Sequence, residues 1–350
     1  MALARPDISA SSEASPDAPA LWARIIIVSY NSGSDLQKCI DSLAGQSCQD
    51  FEVFIIDNNS PDEAVRDLNL PNERYYRHYS ETNDGFAGAS NFGAKTARTE
   101  WVITLNPDAW PEPNWLENLK AASEAHPDFS MLSSTLIQAD TENKLDGFGD
   151  YLTIFGLAKS SALNEPDTVL PAEPVEVFGP CGAAAAYRRE IFLESGGFDA
   201  RFFCYLEDVD LAYRLRLFGE KCLQCPGARA HHVGSSSTGK QFGFKFYHSN
   251  KNNVPLVVKN TPLLLLILML PLFLASQMYL IFRNKSHPNF KDQLNGFRDG
   301  LKDFPKILKQ RREILPHRKV GSLKIAKRLS WSIKTVRDTA TIYWPVDKSE

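Results

Sequence analysis

The sequence predicts an α/β fold with a mostly parallel central sheet flanked by helices, followed by a helical C-terminal region. Apolar runs of strand length alternate with helical patterns in the first half of the chain, which is the order of βαβ units. The charge then reverses: residues 1–239 hold 18 Lys and Arg against 35 Asp and Glu, whereas residues 240–350 hold 21 against 7. A basic tail with a long apolar run predicts association with an anionic membrane.

Residues 1–21 are expected to be a disordered leader. Ala, Ser, Pro and Asp dominate this stretch without periodicity, and it lacks the basic start and apolar core of a signal peptide or anchor. The six cysteines have no framework spacing, so we expect reduced thiols in a cytosolic protein. Cys222 and Cys225 have the spacing of half a zinc site, but without a second pair we interpret them as buried thiols.

The first two strands open the α/β unit. Residues 24–31 are a β-branched run, which predicts a strand buried on both faces and therefore parallel to its neighbours. Ser34 or Asp35 can cap the helix that follows. Residues 51–60 predict a second strand with a polar tip, and a weaker helix is expected to begin near Asp62.

A glycine-rich segment follows the third predicted strand, residues 75–79. The early glycines of residues 83–95 permit a tight turn, and the residues after Gly88 are predicted to be helical. A glycine-rich turn at a helix start can receive phosphate, although the spacing differs from that of nucleoside triphosphatase loops. Residues 101–104 predict a fourth parallel strand at the edge of a nucleotide-sized crevice.

A carboxylate follows this fourth strand directly. Pro107 cannot continue a strand ladder, so Asp108 is expected at the carboxyl end of the strand, where open α/β sheets bind ligands. A carboxylate held there can ligate a divalent cation, and such a cation can carry a diphosphate. Taken alone, the Asn-Pro-Asp stretch predicts only a turn.

The pattern is weaker beyond this point. Residues 115–125 predict a helix and residues 131–137 a strand, whereas residues 140–175 are mixed and polar. Residues 177–187 form an apolar segment interrupted by glycines. The sequence therefore predicts little about this part of the fold.

Two clusters of titratable residues follow. Glu207, Asp208 and Asp210 lie at the start of a predicted helix, and three acids there exceed what capping needs. His231 and His232 are adjacent on a predicted strand, so they point to opposite faces and at most one can reach a crevice. A single histidine is more often structural than a ligand.

The ordered set of motifs resembles the family 2 glycosyltransferases with the GT-A fold of nucleotide-diphospho-sugar transferases, and especially their bacterial rhamnosyltransferase-like branch. The resemblance covers residues 22–240. The matching stretches are residues 27–31, 56–60, 83–93, 106–108 and 207–214, and His232 with the Gly and Ser residues that follow it.

The resemblance implies a role for each matching residue. Asp108 matches the last acid of the family's Asp-x-Asp metal motif, with His232 as its companion, and the metal would be Mn²⁺ or Mg²⁺. Asn106 stands where many members have the first acid, which leaves Asp108 as the main carboxylate ligand. Asp208 matches the catalytic base, with Glu207 beside it. The implied donor-binding residues are Ser29, Tyr30, Asp57, Asn83, Gly85, Asn91 and Asn106.

The activity that the resemblance implies is inverting transfer of a sugar, with rhamnose as the first candidate, from a dTDP- or UDP-sugar to a lipid-linked or cell-surface polysaccharide acceptor. Such transfer needs one base and a group that holds the departing diphosphate. A catalytically silent nucleotide-sugar or glycan-binding scaffold is the alternative, supported only by Asn106. A pyrophosphorylase-type enzyme would need a basic triphosphate loop, which residues 83–93 lack.

The tail contains an uncharged apolar segment, residues 262–282, of about the 20 residues needed to span a bilayer. Both flanks are basic, so charge does not orient it, and Pro271 predicts a kink compatible with a re-entrant or interfacial element. A buried core helix is the alternative. Residues 290–325 predict amphipathic basic segments suited to an anionic membrane surface.

We therefore expect the leader to be followed by a catalytic domain over residues 22–240 and a basic helical region over residues 241–350. The expected location is the cytoplasmic face of the inner membrane, with peripheral attachment or a single apolar segment. Nucleic acid is not an expected partner, because the basic residues of the tail are interleaved with Leu and Ile and no stacking set or zinc module accompanies them.

Overall fold

The computed structural model describes residues 21–141, 143–234 and 242–346. Almost all of the expected leader and most of the Gly/Ser run after His232 lie outside these ranges. The strands are β1 (Ala23–Ser29), β2 (Phe51–Asp57), β3 (Tyr75–Tyr79), β4 (Trp101–Leu105), β5 (Ala109–Pro111), β6 (Met131–Gln138), β7 (Leu145–Gly147), β8 (Asp150–Leu152), β9 (Ala158–Ser160), β10 (Val175–Val177), β11 (Ala184–Arg188) and β12 (Cys222–His232). The helices are α1 (Asp35–Ala44), α2 (Gly85–Lys95), α3 (Trp115–Ala125), α4 (Arg189–Glu194), α5 (Glu207–Leu217), α6 (Phe242–Asn260), α7 (Leu263–Arg283), α8 (Phe290–Lys302), α9 (Phe304–Ile314) and α10 (Ser322–Ala326).

The sheet is parallel in its first half and mixed in its second. Strands β3, β2, β1 and β4 are neighbours in that order and run parallel, as predicted. Strand β11 then pairs antiparallel with both β4 and β6, and β12 runs parallel to β6. Because Ser29 lies opposite Asp57 in the register, β1 and β2 end at the same edge of the sheet.

Both faces of the sheet are covered by apolar side chains. Along β1, Ile25 and Ile27 belong to the core on one face, and Ile26 and Val28 to the core on the other. This alternation confirms that β1 is buried on both faces, as the β-branched run predicted. Helices α1 and α3 pack on the first face, whereas α2, α4, α5 and α7 pack on the second.

The helix predicted near Asp62 is wrong, because residues 61–67 form bends and turns. Instead of capping a helix, the Asp62 carboxylate joins two loops: it accepts the N–H of Gly33 at 3.0 Å and the hydroxyl of Ser60 at 2.6 Å. Because its hydrogen bonds are satisfied within these loops, the Asp62 side chain favours a turn over a helix.

Helix α2 begins at Gly85, earlier than the predicted start after Gly88. Gly85 has a φ of +68°, and a Cβ at this position would lie 2.3 Å from the carbonyl oxygen of Phe203. The glycine therefore permits both the turn into the helix and the close approach of a second loop.

The basic C-terminal region packs back onto the sheet domain. Val320, Ile325 and Leu329 belong to the same apolar core as the second face of the sheet. At its end, the N–H of Trp344 donates to the carbonyl of Glu176 at 2.8 Å, and the N–H of Glu176 donates back at the same distance. The tail and the sheet domain thus share one core.

By length and composition, helix α7 is long and apolar enough to cross a membrane, with a mean hydropathy of 2.3 over an 18-residue window. No other helix in the described ranges meets these two conditions. Helix α7 runs unbroken through Pro271. Only 28% of the window is buried, which disfavours a buried core helix. Its most exposed apolar residues are Leu263, Leu264, Ile267, Met278 and Phe282.

A buried network of charges joins α5 to α6. The Asp210 carboxylate is fully buried and accepts hydrogen bonds from Arg214 Nε at 3.0 Å and Asn260 Nδ2 at 2.7 Å, and it lies 2.8 Å from Lys259 Nζ. The Arg214 guanidinium also donates to the carbonyls of Ser195 and Gly197. Buried charges of this kind persist only when they are paired.

Replacing Asp210 with Asn is expected to lower the free energy of unfolding by roughly 3–5 kcal/mol, because Arg214 and Lys259 would lose a buried counter-charge. Urea unfolding followed by circular dichroism measures this. The control is Glu63→Gln, which removes an exposed ion pair with Arg66 and should cost less than about 1 kcal/mol. Equal losses in the two variants would contradict a stabilising role for the network.

Candidate active site

A cavity of about 1070 Å³ opens at the edge of the sheet where β1 and β4 end. Its walls come from the residues after these strands, the start of α2, the start of α5, the end of β12 and parts of α6 and α7. Ligands of open α/β sheets bind at such an edge. The predicted site residues that line the cavity are Tyr30, Asn83, Gly85, Asn106, Asp108, Glu207, Asp208 and His232.

Two predicted donor-binding residues lie behind this wall, at the ends of their strands. The Ser29 hydroxyl donates to Ser32 Oγ at 3.0 Å, and the Asp57 carboxylate accepts the N–H of Ser60 at 2.7 Å. Neither residue is among those lining the cavity. Both hold the loops that leave β1 and β2, and their contact with a donor stays a prediction.

Two asparagines fix the loops on the same side. Asn91, a predicted donor-binding residue, does not line the cavity; its amide donates to the Phe198 carbonyl and accepts the Phe198 N–H, both at 2.8 Å. Asn58, which the sequence analysis did not select, lines the cavity and donates to Asn83 Oδ1 at 2.9 Å and to the Gly85 carbonyl at 3.2 Å. The start of α2 is therefore rigidly held.

His232 lies at the end of β12 and joins two carboxylates. Its Nδ1 is 2.7 Å from Asp146 Oδ2, and its Nε2 is 3.5 Å from Asp108 Oδ1 and 3.2 Å from Asn106 Nδ2. His231 points to the opposite face, where its ring stacks on an indole ring. The structure thus brings His232 together with Asp108 and leaves His231 outside the cavity.

The electrostatics of this group fit a divalent cation. Burial disfavours a charged imidazole, but hydrogen bonds to Asp108 and Asp146 outweigh it and raise the pKa of His232 to about 9. The positive charge of a protonated His232 ring is therefore stabilised between the two carboxylates. With Asp146 on Nδ1 and Nε2 facing Asp108, the ring is oriented as a metal-ligating histidine is by a supporting carboxylate. Asp108 and His232 could hold the metal directly.

Asp208 is held at the first turn of α5 with both carboxylate oxygens occupied. Oδ2 accepts a hydrogen bond from the N–H of Gly182, and Oδ1 accepts one from the N–H of Val209, the next residue in the chain, each at 2.8 Å. Burial raises the pKa of Asp208 above its ordinary value, while these hydrogen bonds oppose the rise. The neighbouring Glu207 is buried, whereas Asp208 is half-buried, and burial followed by the Asp208 charge raises the pKa of Glu207 well above its ordinary value.

A second acid and a thiol lie next to Asp208. One ligand-type atom each from Asp150, Cys181 and Asp208 lies within 4.8 Å of the others. Burial and the Asp208 charge raise the pKa of Asp150 to about 8, and burial raises the pKa of the Cys181 thiol. A protonated acid and a protonated thiol are poor metal ligands. At neutral pH Asp150 therefore carries a proton beside Asp208.

The loop before α5 is strained and is held from α6. Phe203, Tyr205 and Leu206 have positive φ angles of 64°, 70° and 69°, which cost free energy in residues other than glycine. The Asn252 amide nitrogen donates to three carbonyls of this loop at 2.8–2.9 Å, those of Phe202, Cys204 and Tyr205.

Sequence reasoning missed Asn58, Asp146, Asp150 and Cys181. Asn58 could have been found, because it stands inside a matching motif. Asp146 and Asp150 belong to residues 140–175, where no periodicity predicted a strand. They reach the cavity because β7 pairs with β6 and because the N–H of Asp150 donates to the carbonyl of Gly179. The only signal in the sequence was that both residues are acidic and stand next to a glycine.

The sequence matches the model of the family described as Glycosyl transferase family 2 over residues 24–196, about half of the chain. Two curated relatives are similar at low identity. An uncharacterized glycosyltransferase of Haemophilus influenzae is 25% identical over 68% of this chain and 72% of its own length. An N-acetylglucosaminyl-diphospho-decaprenol L-rhamnosyltransferase of Mycobacterium tuberculosis is 27% identical over 62% of this chain and 77% of its own.

The fold is similar to that of a solved structure, GalNAc-T7 with UDP, GalNAc and Mn²⁺. The two align with a TM-score of 0.57 and 18% identity over 85% of this chain and 59% of that one. At this identity the likeness shows the fold, which is GT-A, as the resemblance of the motifs implied. Family match, curated relatives and fold agree, and the chain belongs to glycosyltransferase family 2.

Proposed function

We propose that this enzyme transfers a sugar from a nucleoside-diphosphate sugar to a lipid-linked glycan, with inversion at the anomeric carbon, at a membrane surface. The observation that carries the proposal is that one cavity contains both a group suited to a divalent cation, Asp108 with His232, and a separate half-buried carboxylate, Asp208. These are the two chemical tasks of inverting transfer.

On the donor side, Asn83 and Gly85 shape the turn into α2, and Tyr30 is exposed at the cavity for contact with a base or ribose. Asp108 and His232 would hold Mn²⁺ or Mg²⁺. Such a cation, when bound, neutralises charge on the departing diphosphate. The donor is a dTDP- or UDP-sugar in this proposal; UDP and Mn²⁺ accompany the structural relative GalNAc-T7.

On the acceptor side, Asp208 takes the proton of the attacking hydroxyl. The acceptor oxygen then forms a bond to the anomeric carbon, the bond from that carbon to the diphosphate oxygen breaks, and the diphosphate leaves on the opposite face. Asp150, whose pKa is about 8, keeps its proton at neutral pH, while the N–H groups of Gly182 and Val209 favour the anion of Asp208. Two carboxyl groups with separated pKa values can divide acid and base roles in this way.

The lipid-linked acceptor is supported by the exposed apolar face of α7 and by the relative that acts on a diphospho-decaprenol substrate. The same relative is the reason to propose rhamnose as the sugar. We place the catalytic domain at the cytoplasmic face of the membrane, where nucleotide sugars are made. Residues 22–240 would then be the catalytic domain and residues 241–350 its membrane-associated region.

Metal binding is expected to depend on pH through His232. Below its pKa of about 9 the ring is protonated, so Mn²⁺ must displace a proton, and the affinity for Mn²⁺ should rise as the pH increases from 6 towards 9. Calorimetric titration of Mn²⁺ in the presence of UDP or dTDP, in buffers of different ionisation enthalpy, measures both the affinity and the released proton.

In the same titration Asp108→Asn should weaken Mn²⁺ binding by roughly tenfold or more. The control is Asp128→Asn, which changes a surface carboxylate paired with Lys221. An unchanged affinity in Asp108→Asn would remove Asp108 from the metal site.

Asp208→Asn is expected to lower the rate of transfer by roughly 10²–10⁴-fold, because the acceptor hydroxyl would lose its base. Binding of the donor nucleotide should stay within a factor of two. Glu207→Gln is the matched comparison: burial keeps Glu207 protonated, so its amide should behave much like the acid. A larger loss in Glu207→Gln than in Asp208→Asn would move the base to Glu207. Donor binding without any transfer by the wild type would support the silent scaffold.

The proton on Asp150 predicts a stability effect of known sign. In the unfolded chain Asp150 ionises near pH 4, whereas in the folded protein it ionises near pH 8, so the folded state binds one more proton in this interval. The wild type should therefore lose stability as the pH rises from about 4 to about 8, relative to Asp150→Asn, which has no such proton. Urea midpoints of both proteins at pH 5 and pH 8 test this, and a constant difference between them would contradict the raised pKa of Asp150.

A further inference from the structure

Helix α7 packs on the domain along one side and exposes the other. Near its start Leu265 joins the core on the second face of the sheet, and in its middle Phe273 packs with Val257 of α6. Further along, the Ser276 hydroxyl donates to the Phe155 carbonyl at 3.0 Å. The other side of the helix is apolar and exposed.

The neighbours of α7 disfavour a crossing of the bilayer. Helix α7 follows α6 and leads into α8, and α8 packs closely on α6, since a Cβ at Gly296 of α8 would collide with the carbonyl of Tyr247. One apolar cluster joins residues of α6, α7, α8 and α9. A spanning α7 would therefore bring α6 and α8 into hydrocarbon. Helix α8 carries Arg298 and Lys302 with side chains 63% and 65% exposed, and charges in hydrocarbon are costly.

A second exposed segment, residues 322–333, lies beside α7. Helix α10, at its start, packs against α7. Near its end, the Ser330 carbonyl accepts the N–H of Ile154 at 3.0 Å, in the same loop that holds Ser276 of α7. The segment and α7 bury their inner sides in one core, so their exposed sides belong to one surface.

This segment adds three large apolar side chains to the exposed side of α7. Leu323 and Ile333 are each 73% exposed, and Trp331 is 52% exposed. An exposed apolar surface of this kind marks an interaction site, and tryptophan is typical of the boundary between a bilayer and water.

The charges on the same segment are basic. Residues 318–337 contain seven Lys and Arg and no Asp or Glu. Lys324, Lys327 and Lys334 are exposed next to the three apolar side chains in the sequence. Apolar side chains that enter a leaflet, with lysines that remain among the headgroups, are the features of an element lying on an anionic bilayer.

We propose that α7 lies in the plane of the membrane as an interfacial helix, with Leu323, Trp331 and Ile333 inserted beside it into one leaflet of an anionic bilayer. The chain is then attached to a single face of the membrane and does not cross it. This inference rests on the membrane location within the proposed function and defines the surface and the mode of attachment.

The first test is flotation of the full-length protein with preformed vesicles of phosphatidylcholine, alone or with one third phosphatidylglycerol. The wild type should bind the anionic vesicles roughly tenfold more strongly than the neutral ones. Trp331→Ser and Ile333→Ser should each weaken binding to anionic vesicles about fivefold, because each removes an apolar side chain from the bilayer. Both side chains are exposed, so both variants should fold.

The matched control is Phe92→Ser, which removes another exposed aromatic side chain. Phe92 is 40% exposed and packs on His78 of β3, whereas the end of the C-terminal region pairs with Glu176 of β10, at the opposite edge of the sheet. Vesicle binding by this control should stay within twofold of the wild type. Equal binding to neutral and anionic vesicles, unchanged binding in both test variants, or an equal loss in the control would overturn the proposal.

Cysteine accessibility separates an interfacial α7 from a spanning one. Ser286→Cys places a thiol just after α7, and Lys309→Cys places one on α9 near the start of α7, where Arg311 donates to the Thr261 carbonyl. The variants are labelled in inverted membrane vesicles from bacteria that express the full-length protein, with the wild type as the background of native thiols. A membrane-impermeant maleimide should label both new thiols without detergent. Protection of either thiol until detergent is added would overturn the proposal.

The failure of this inference and that of the proposed function are distinguishable. A wild type that binds UDP or dTDP with Mn²⁺ but no vesicle would reject the membrane surface and leave donor binding intact. A wild type that binds vesicles as expected but neither nucleotide would reject the transferase function and keep the interfacial helix. A dimer in solution that Trp331→Ser converts into a monomer would assign the apolar surface to a second copy of the chain and would overturn the proposal.

Discussion

The joint between α5 and α6 is the constraint on which the site depends. Asp210, on the first turn of α5, is held by Lys259 and Asn260 of α6. From the same helix, the Asn252 amide holds the strained loop that ends at Glu207. Asp208 lies between these two attachments. Its position is therefore determined by the C-terminal region as much as by the sheet, since the sheet domain alone supplies neither Asn252 nor Lys259.

This joint explains how the Asp208 carboxylate, the proposed base, can be held half-buried next to other acids. Removing Asp208 from water raises the free energy of its anion and so raises its pKa, while burial and the Asp208 charge raise the pKa of Asp150. The backbone N–H groups of Gly182 and Val209 recover part of this cost. A rigid frame is needed because a small rotation of α5 relative to the sheet domain would break the hydrogen bond from Gly182 and leave the carboxylate less well compensated.

The parts of the fold that follow strand periodicity could be predicted from the sequence. The parallel strands β1 to β4 and the placement of Asp108 after β4 required only apolar runs and a proline. The prediction of a helix near Asp62 was wrong because side-chain hydrogen bonds across two loops outweigh helix propensity there. Asp146 and Asp150 could not be predicted, since their neighbours in space are set by β7 and by a loop contact with Gly179.

The amide at Asn106 affects the distribution of negative charge around His232 as well as the number of candidate metal ligands. Where a carboxylate at this position would place a second negative charge beside Asp108, Asn106 places a neutral group 3.2 Å from His232 Nε2. The negative charge is instead carried by Asp146 on the far side of the imidazole, 2.7 Å from Nδ1. The two carboxylates together favour a cation at His232, as its pKa of about 9 shows. The proposed metal site would thus keep two negative charges around the same point while a nitrogen takes the place of one oxygen donor, which makes the proposed donor set softer.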